Sequence, residues 1–98
     1  MITMLLTFTP STIISSAQNQ ISSELAGEAV ILNLSSGIYY GLNEVGARVW
    51  ELIQQPKRFS EVLDALVEEY DVQPEVCSRD LAEILRVLAD ANLVDISS

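Results

Sequence analysis

The side chains that could do chemistry do not form a catalytic pattern in this chain of 98 residues. It contains one cysteine, Cys77, and no histidine, so the usual base that activates a thiol nucleophile is missing. Carboxylates are plentiful, but Glu68, Glu69 and Asp71 lie at the end of a predicted helix, where a solvated polar face accounts for them. We interpret Cys77 as a small buried hydrophobe and predict that the chain is not an enzyme.

The sequence also lacks the residue patterns that are typical of metal and cofactor sites. A lone cysteine excludes both an internal disulfide and a multi-cysteine zinc site. Asp64, Glu68 and Asp71 are spaced along a helix without the glycine-bearing loop of a calcium site. The four glycines are scattered, so no phosphate-binding loop is present. We therefore predict no metal and no cofactor.

The charge balance indicates which partners to expect. With 14 acidic and 5 basic residues the net charge is −9, which disfavours nucleic acids and anionic membranes and favours a basic or amphipathic partner.

Residues 1–8 are apolar, but they lack the basic region of a signal peptide and the length of a membrane span. The expected location is the cytoplasm.

The first 42 residues are typical of β-structure. Strands are predicted at residues 12–16, 28–34 and 38–42, with a polar break at residues 18–20. The second and third strands are joined by a Ser-Ser-Gly loop at residues 35–37, which indicates a β-hairpin. Because side chains alternate, Ile38, Tyr40 and Leu42 share one face of the third strand, and Tyr39 points to the other.

The rest of the chain has helical periodicity. Asn43 is a good N-cap for a first helix that Pro56 stops, and Ser60 can cap a second. Pro74 suits the first turn of a third helix, and Asn92 can end it in a left-handed cap. Residues 93–96 form a short apolar tail that we expect to pack on the core.

These elements predict a single α+β domain over residues 1–98, with residues 1–11 flexible. We expect a winged helix-turn-helix-like architecture, with an N-terminal three-stranded antiparallel sheet followed by three helices. A DNA-binding regulator is one reading of such a fold. The outward residues of the third helix have mixed charge, however, and carboxylates there would repel phosphates: Arg79, Glu83, Arg86 and Asp90.

One segment carries more specific information. Residues 31–52, ILNLSSGIYYGLNEVGARVWEL, resemble the signature of PqqD-like proteins: an aliphatic strand, a turn with glycine, a strand ending in Tyr and Leu-Asn, and a helix with Gly-Ala and Trp. Residues 59–70 occupy the position of the family's second helix. Residues 80–93, DLAEILRVLADANL, resemble its closing helix, so the resemblance covers about residues 12–96.

The resemblance implies a recognition element for ribosomally synthesised, post-translationally modified peptides. Such a domain binds the leader segment of a precursor peptide and presents it to a partner enzyme. The segments YYGLN (residues 39–43) and GARVW (residues 46–50) most resemble those of the stand-alone leader-binding proteins of lasso peptide pathways. The partner of those proteins is a leader peptidase, a cysteine protease encoded separately. The near alternative is the version from pyrroloquinoline quinone synthesis, which serves a radical enzyme.

The family also implies where the peptide binds. The peptide adds as a further strand to the edge of the third strand, and the third helix forms the opposite wall of the groove. Val87 is apolar where amphipathicity predicts a polar residue. We therefore predict that the flank of the third helix that contains Val87 forms the groove wall. Trp50 is interpreted as a core anchor. One of the two adjacent tyrosines is expected in the core and the other at the peptide. The predicted peptide-binding residues are Ile38, Tyr39, Tyr40, Gly41, Leu42, Arg79, Asp80, Glu83, Ile84 and Val87.

Two further possibilities remain open at the level of the sequence. An unpaired edge strand and the apolar start of the chain could promote a homodimer: Met4, Leu5, Leu6 and Phe8. An independent hydrolase or transferase would reveal itself by cleaving a leader with no partner enzyme added, although the absence of histidine argues against it.

Overall fold

Two small antiparallel sheets and three helices make up the part of the chain that the computed structural model describes, residues 8–97. The strands are β1 (Ile13–Ser16), β2 (Gln20–Leu25), β3 (Glu28–Asn33), β4 (Ile38–Leu42), β5 (Lys57–Arg58) and β6 (Val94–Ser97). The helices are α1 (Glu44–Leu52), α2 (Phe59–Tyr70) and α3 (Pro74–Asp90). One sheet has the order β2-β3-β4 and the other β5-β1-β6. The α+β class predicted from the sequence is confirmed.

The first sheet contains the predicted hairpin and one strand that the sequence analysis missed. β3 and β4 pair around the loop at residues 34–37, as expected. β2 was not predicted because its Ser22, Ser23 and Glu24 read as polar. It forms because Ala26 and Gly27, both with positive φ, make a two-residue turn that returns the chain along β3. Ser22 and Glu24 lie on the same face of the sheet as the buried Ile31 and Ala29, yet they are exposed because β2 is at the edge of the sheet.

The strand predicted at residues 12–16 lies in the second sheet, so the expectation that it belongs to the N-terminal sheet is wrong. β1 pairs with β5 on one side and with β6 on the other. The physical reason is that β2 already occupies the position beside β3. The tail at residues 93–96 does pack on the core, and residues 94–97 complete the second sheet as β6.

The helix boundaries follow local hydrogen bonding. The Asn43 side chain accepts a bond from the Gly46 amide at 2.9 Å and caps α1, as predicted. α2 begins at Phe59, earlier than Ser60 suggested, because its first amides donate to the carbonyls of Thr12 and Pro10. α3 begins at Pro74, and Asn92 follows its end with a φ of 59°, as predicted.

The core lies between the inner face of the β2-β3-β4 sheet, the second sheet and the three helices. Trp50 is buried, in agreement with its interpretation as an anchor, and Cys77 is buried on α3. On β3 the buried residues are Ala29, Ile31 and Asn33, which leaves Val30 half exposed on the opposite face. Other buried core residues are Ile14, Val49, Ile53, Phe59, Val62, Leu66, Leu81, Leu85, Leu88 and Leu93.

The start of the described chain is attached to this core. Phe8 stacks on Phe59 with ring centroids 5.4 Å apart, and the Arg86 guanidinium lies 5.8 Å from the centroid of the Phe8 ring. Residues 1–7 and residue 98 lie outside the described residues, and with them Met4, Leu5 and Leu6, which were considered for dimerisation. The flexibility predicted for residues 1–11 therefore stays a prediction.

Asn33 generates the first testable prediction. Its buried amide donates to the Ala91 carbonyl at 2.9 Å and accepts bonds from the amides of Ser35 and Ser36. Replacing Asn33 by Ala leaves these groups without their partner, so we expect the free energy of unfolding in urea to fall by about 2 kcal/mol. The control Gln55→Ala, at an exposed position, should change it by less than about 0.5 kcal/mol. Equal effects of the two variants would contradict the assignment.

Candidate functional site

An apolar groove of about 510 Å³ separates the end of β4 and the start of α1 from one flank of α3. It is larger than two other cavities among the described residues, of about 310 and 300 Å³. A groove of this size and character suits an extended peptide segment or a small apolar ligand. Its lining residues are Gly41, Leu42, Asn43, Val45, Gly46, Asp80, Glu83, Ile84, Val87 and Leu88.

The α3 wall is a single stripe along the helix. Asp80, Glu83, Ile84 and Val87 follow the spacing that places residues on one helical face. Val87 is 57% exposed, although it is apolar, and Ile84 is partly buried against the core. This wall is therefore an apolar surface in its C-terminal half and a carboxylate-bearing surface in its N-terminal half.

The opposite wall is where β4 turns into α1. The Asn43 cap fixes that turn, and Val45 projects from the first turn of α1 with part of its side chain exposed. A Cβ at Gly46 would come within 3.3 Å of the Leu42 Cβ. Glycine at this position therefore allows Leu42 to pack closely against the start of the helix.

The outer edge of β4 carries free backbone groups. The Leu34 amide donates to the Asn19 carbonyl, so residues 19 and 34 form a hydrogen-bonded pair in the β2-β3 register. Hydrogen-bonded pairs alternate with non-hydrogen-bonded pairs along antiparallel strands. Ile31 and the β3 residues two positions from it therefore direct their backbone hydrogen bonds to β4, where Ile31 pairs with Tyr40. The N–H and C=O groups of Tyr39 and Gly41 therefore point away from β3, towards the open edge.

The ten predicted site residues divide into two groups. Six of them line the groove: Gly41, Leu42, Asp80, Glu83, Ile84 and Val87. The other four lie outside the lining. Tyr40 packs against the core, Tyr39 and Ile38 are exposed, and Arg79 lies exposed on the neighbouring face of α3. As alternation predicts, one tyrosine is directed to the core and the other away from it.

Four lining residues were not predicted. Asn43, Val45 and Gly46 directly follow the predicted strand, and of these three only Asn43 was given an individual role, as the N-cap of the first helix. Leu88 is buried in the core, yet it also lines part of the groove. Its spacing of four residues from Ile84 was the available signal.

Cys77 is a buried titratable group on α3, close to Asp80 of the groove wall. Burial, with a smaller contribution from the Asp80 carboxylate, raises the pKa of the Cys77 thiol, which disfavours the nucleophilic thiolate. Within residues 8–97 no three His, Cys, Asp or Glu side chains are grouped so that they could hold a metal ion. No helix in this part of the chain has both the length and the apolar character needed to cross a bilayer.

A second apolar surface lies on the face of the β2-β3-β4 sheet that points away from the core. The register places Ile21, Leu32 and Tyr39 side by side across the three strands, with Val30 beside them. Ile21 is 59% and Tyr39 68% exposed. We call these four residues the outer sheet face. Exposed apolar clusters of this kind are characteristic of protein interaction surfaces.

Comparison with protein families gives a match over most of the chain. The model of the family described as "Coenzyme PQQ synthesis protein D (PqqD)" matches residues 28–94, which include the hairpin, all three helices and the groove. A comparison with curated proteins finds no match.

Three solved structures have the same fold. The first, TbiB1 in complex with the TbiA(beta) leader peptide, is 37% identical, with a TM-score of 0.78 over 83% of this chain and 94% of that one. The second, a lasso peptide synthetase B1 complexed with the leader peptide, is 21% identical, with a TM-score of 0.74 over 84% and 96%. The third, the PqqD truncation of Methylobacterium extorquens PqqCD, is 18% identical, with a TM-score of 0.74 over 91% and 95%.

The cap at the junction between the two groove elements can be tested separately. Asn43→Ala removes the acceptor for the Gly46 amide, so we expect the free energy of unfolding to fall by about 1 kcal/mol. Asn43→Asp keeps an acceptor at the same position and should retain most of the stability. Urea denaturation of the three proteins measures both effects. The same loss for Ala and Asp would show that the cap does not stabilise this junction.

Proposed function

The chain belongs to the PqqD family, and we propose that it binds the leader segment of a ribosomally synthesised precursor peptide in the groove between β4 and α3. The precursor that we favour is that of a lasso peptide. One observation carries the proposal: the open edge of β4, with the free backbone groups of Tyr39 and Gly41, borders directly on an apolar groove. An edge of this kind is the surface that accepts an additional peptide strand.

The family relationship supports the choice of ligand. TbiB1, which is 37% identical to this chain, was solved with the TbiA(beta) leader peptide. The lasso peptide synthetase B1 with the same fold was also solved with its leader peptide. The third structure is described as a functional, stand-alone recognition element for peptides that are modified after ribosomal synthesis.

In the proposed complex the leader extends the β2-β3-β4 sheet as a fourth strand. Its main chain bonds to the backbone of Tyr39 and Gly41, and alternate side chains enter the groove between Leu42, Ile84 and Val87. Gly41 has no atom within 4 Å of the position of an added Cβ, so the outer face of the strand is open at this residue. Ile38 and Tyr39 would flank the added strand, and Arg79 would lie near its rim.

We propose a role in presentation rather than in catalysis, in which residues 1–98 act as one recognition domain. A precursor peptide is made in the cytoplasm, which is therefore the location that this function implies. The partner would be a leader peptidase of the same pathway. Support comes from the outer sheet face, which is apolar and exposed and which, apart from Tyr39, lies away from the β4 edge that would bind the leader.

Two alternative functions are a PqqD-type chaperone in quinone cofactor synthesis and a DNA-binding regulator. A PqqD-type chaperone in quinone cofactor synthesis would use the same groove with a different precursor and a radical enzyme. A neighbouring precursor gene with a protease and an asparagine-synthetase-like cyclase would favour the lasso pathway. The helix-turn-helix reading rests on α2 and α3, which are joined by a short turn. A DNA-binding role is opposed by the net charge of −9 and by the carboxylates on α3.

Groove binding predicts a specific response to Val87. We expect submicromolar affinity for the leader encoded in the same gene cluster and poor affinity for a scrambled sequence, by isothermal titration. Val87→Glu places a carboxylate against the apolar part of the leader and should weaken binding about tenfold or more. The matched control is Val72→Glu, at an exposed valine between α2 and α3, and it should bind like the wild type.

Both variants should keep the far-UV circular dichroism of the wild type, because both valines are exposed. Equal affinity for the leader and its scrambled version would contradict the proposed function. Equal affinity of the Val87→Glu and Val72→Glu variants for the leader would show that the leader does not bind in this groove.

Presentation to a peptidase can be separated from leader binding. Ile21→Lys places a charge on the outer sheet face, so leader affinity should stay within about twofold while the rate of leader removal by the peptidase falls about tenfold. Chromatographic assay of leader release measures the rate, and Val72→Lys is the control that should change neither quantity. An unchanged cleavage rate for Ile21→Lys would exclude this face as the docking surface.

A further inference from the structure

The groove has an uneven distribution of charge. Among the described residues, its ionisable lining residues are the two carboxylates of α3, Asp80 and Glu83, and none of the lining residues is basic. Both lie at the N-terminal half of the α3 wall, next to the apolar surface of Ile84 and Val87. A peptide in the groove would therefore meet negative charge at one end of the helical wall and an apolar surface at the other.

Among the described residues, no ion pair joins these carboxylates to a basic side chain. The ion pairs in this part of the chain are those of Arg48 with Glu51 within α1 and with Glu69 of α2. Arg79 precedes Glu83 by four residues on the same helix, yet the two do not form an ion pair among the described contacts. Asp80 and Glu83 are exposed, so a cation brought by the ligand would reach them.

The spacing along α3 defines where that cation must be. Asp80 lies one helical turn before Ile84, and Glu83 lies one turn before Val87, which corresponds to about 6 Å along the axis. In an extended peptide, side chains on the same face repeat every second residue, at roughly 6.6 Å. In a peptide that runs along α3, an apolar side chain against Ile84 and Val87 therefore places the side chain two residues away beside Asp80 and Glu83.

From this match we infer that Asp80 and Glu83 are specificity-determining residues, which select a leader carrying Lys or Arg two residues from the apolar side chain that fills the groove. The inference rests on the proposed function and adds to it a chemical requirement on the ligand. The acidic pair does not hold the peptide alone. It distinguishes among leaders that share the apolar side chain, because a leader with Asp or Glu at that position would be repelled.

The test uses the full chain and the TbiA(beta) leader peptide, synthesised with Ala, Lys or Glu at each position in turn. The Ala series identifies the apolar position that anchors the peptide. Fluorescence polarisation then compares the Lys and Glu peptides on the wild type and on two variants. In one, Asp80→Asn and Glu83→Gln neutralise the groove. In the other, Asp64→Asn and Glu68→Gln remove the same amount of charge from exposed positions on α2.

With the wild type we expect Lys, two residues from the anchor, to bind about three- to fivefold more tightly than Ala, and Glu to bind more weakly by a similar factor. The Lys-to-Glu ratio should approach one in the groove variant, persist in the α2 variant and decrease with added salt. The same ratio in both variants would overturn the inference, because the preference would then arise from net charge alone. If neither these peptides nor the leader encoded in the same gene cluster binds, the proposed function is overturned, and the inference with it.

Discussion

The unpaired edge of β4 is the constraint on which the rest of the structure depends. A strand with a neighbour on one side only leaves every second residue with its backbone groups directed outward, and in β4 these residues are Tyr39 and Gly41. Proteins usually protect such an edge, because it can pair with another chain. Here the edge runs beside an apolar wall on α3, so the same exposure provides main-chain bonds and side-chain contacts to one ligand.

The remaining elements hold this edge and this wall in place. Ile31 and Tyr40 pair across the sheet and pack on the core, while Leu81, Leu85 and Leu88 attach the inner stripe of α3 to the same core. The Asn33 side chain bonds the turn after β3 to the end of α3. The width of the groove is therefore fixed by packing behind it, and a rigid site loses less conformational entropy when a peptide binds.

The two faces of the β2-β3-β4 sheet explain why the sequence was informative in some places and misleading in others. Alternation correctly separated Tyr39 from Tyr40, because side-chain direction in a strand depends only on residue parity. It could not reveal β2, whose Ser22 and Ser23 are polar and which exists because a two-residue turn aligns it with β3. The assignment of residues 12–16 to that sheet failed for a related reason, since the strand pairs with segments more than 40 residues away in the chain.

The resemblance to the family indicated the two segments that border the groove. The sequence by itself determined the α+β class, the positions of the three helices and the hairpin at β3 and β4. Those features depend on local propensity, capping and periodicity, which are written in neighbouring residues. The tertiary structure decided that Asn43, Val45 and Leu88 line the groove and that Ile21, Leu32 and Tyr39 form one surface. It also decided that Asp80 and Glu83 border the groove without a basic neighbour in its lining. Such facts depend on strand register and on the contact between distant elements, which no local pattern encodes.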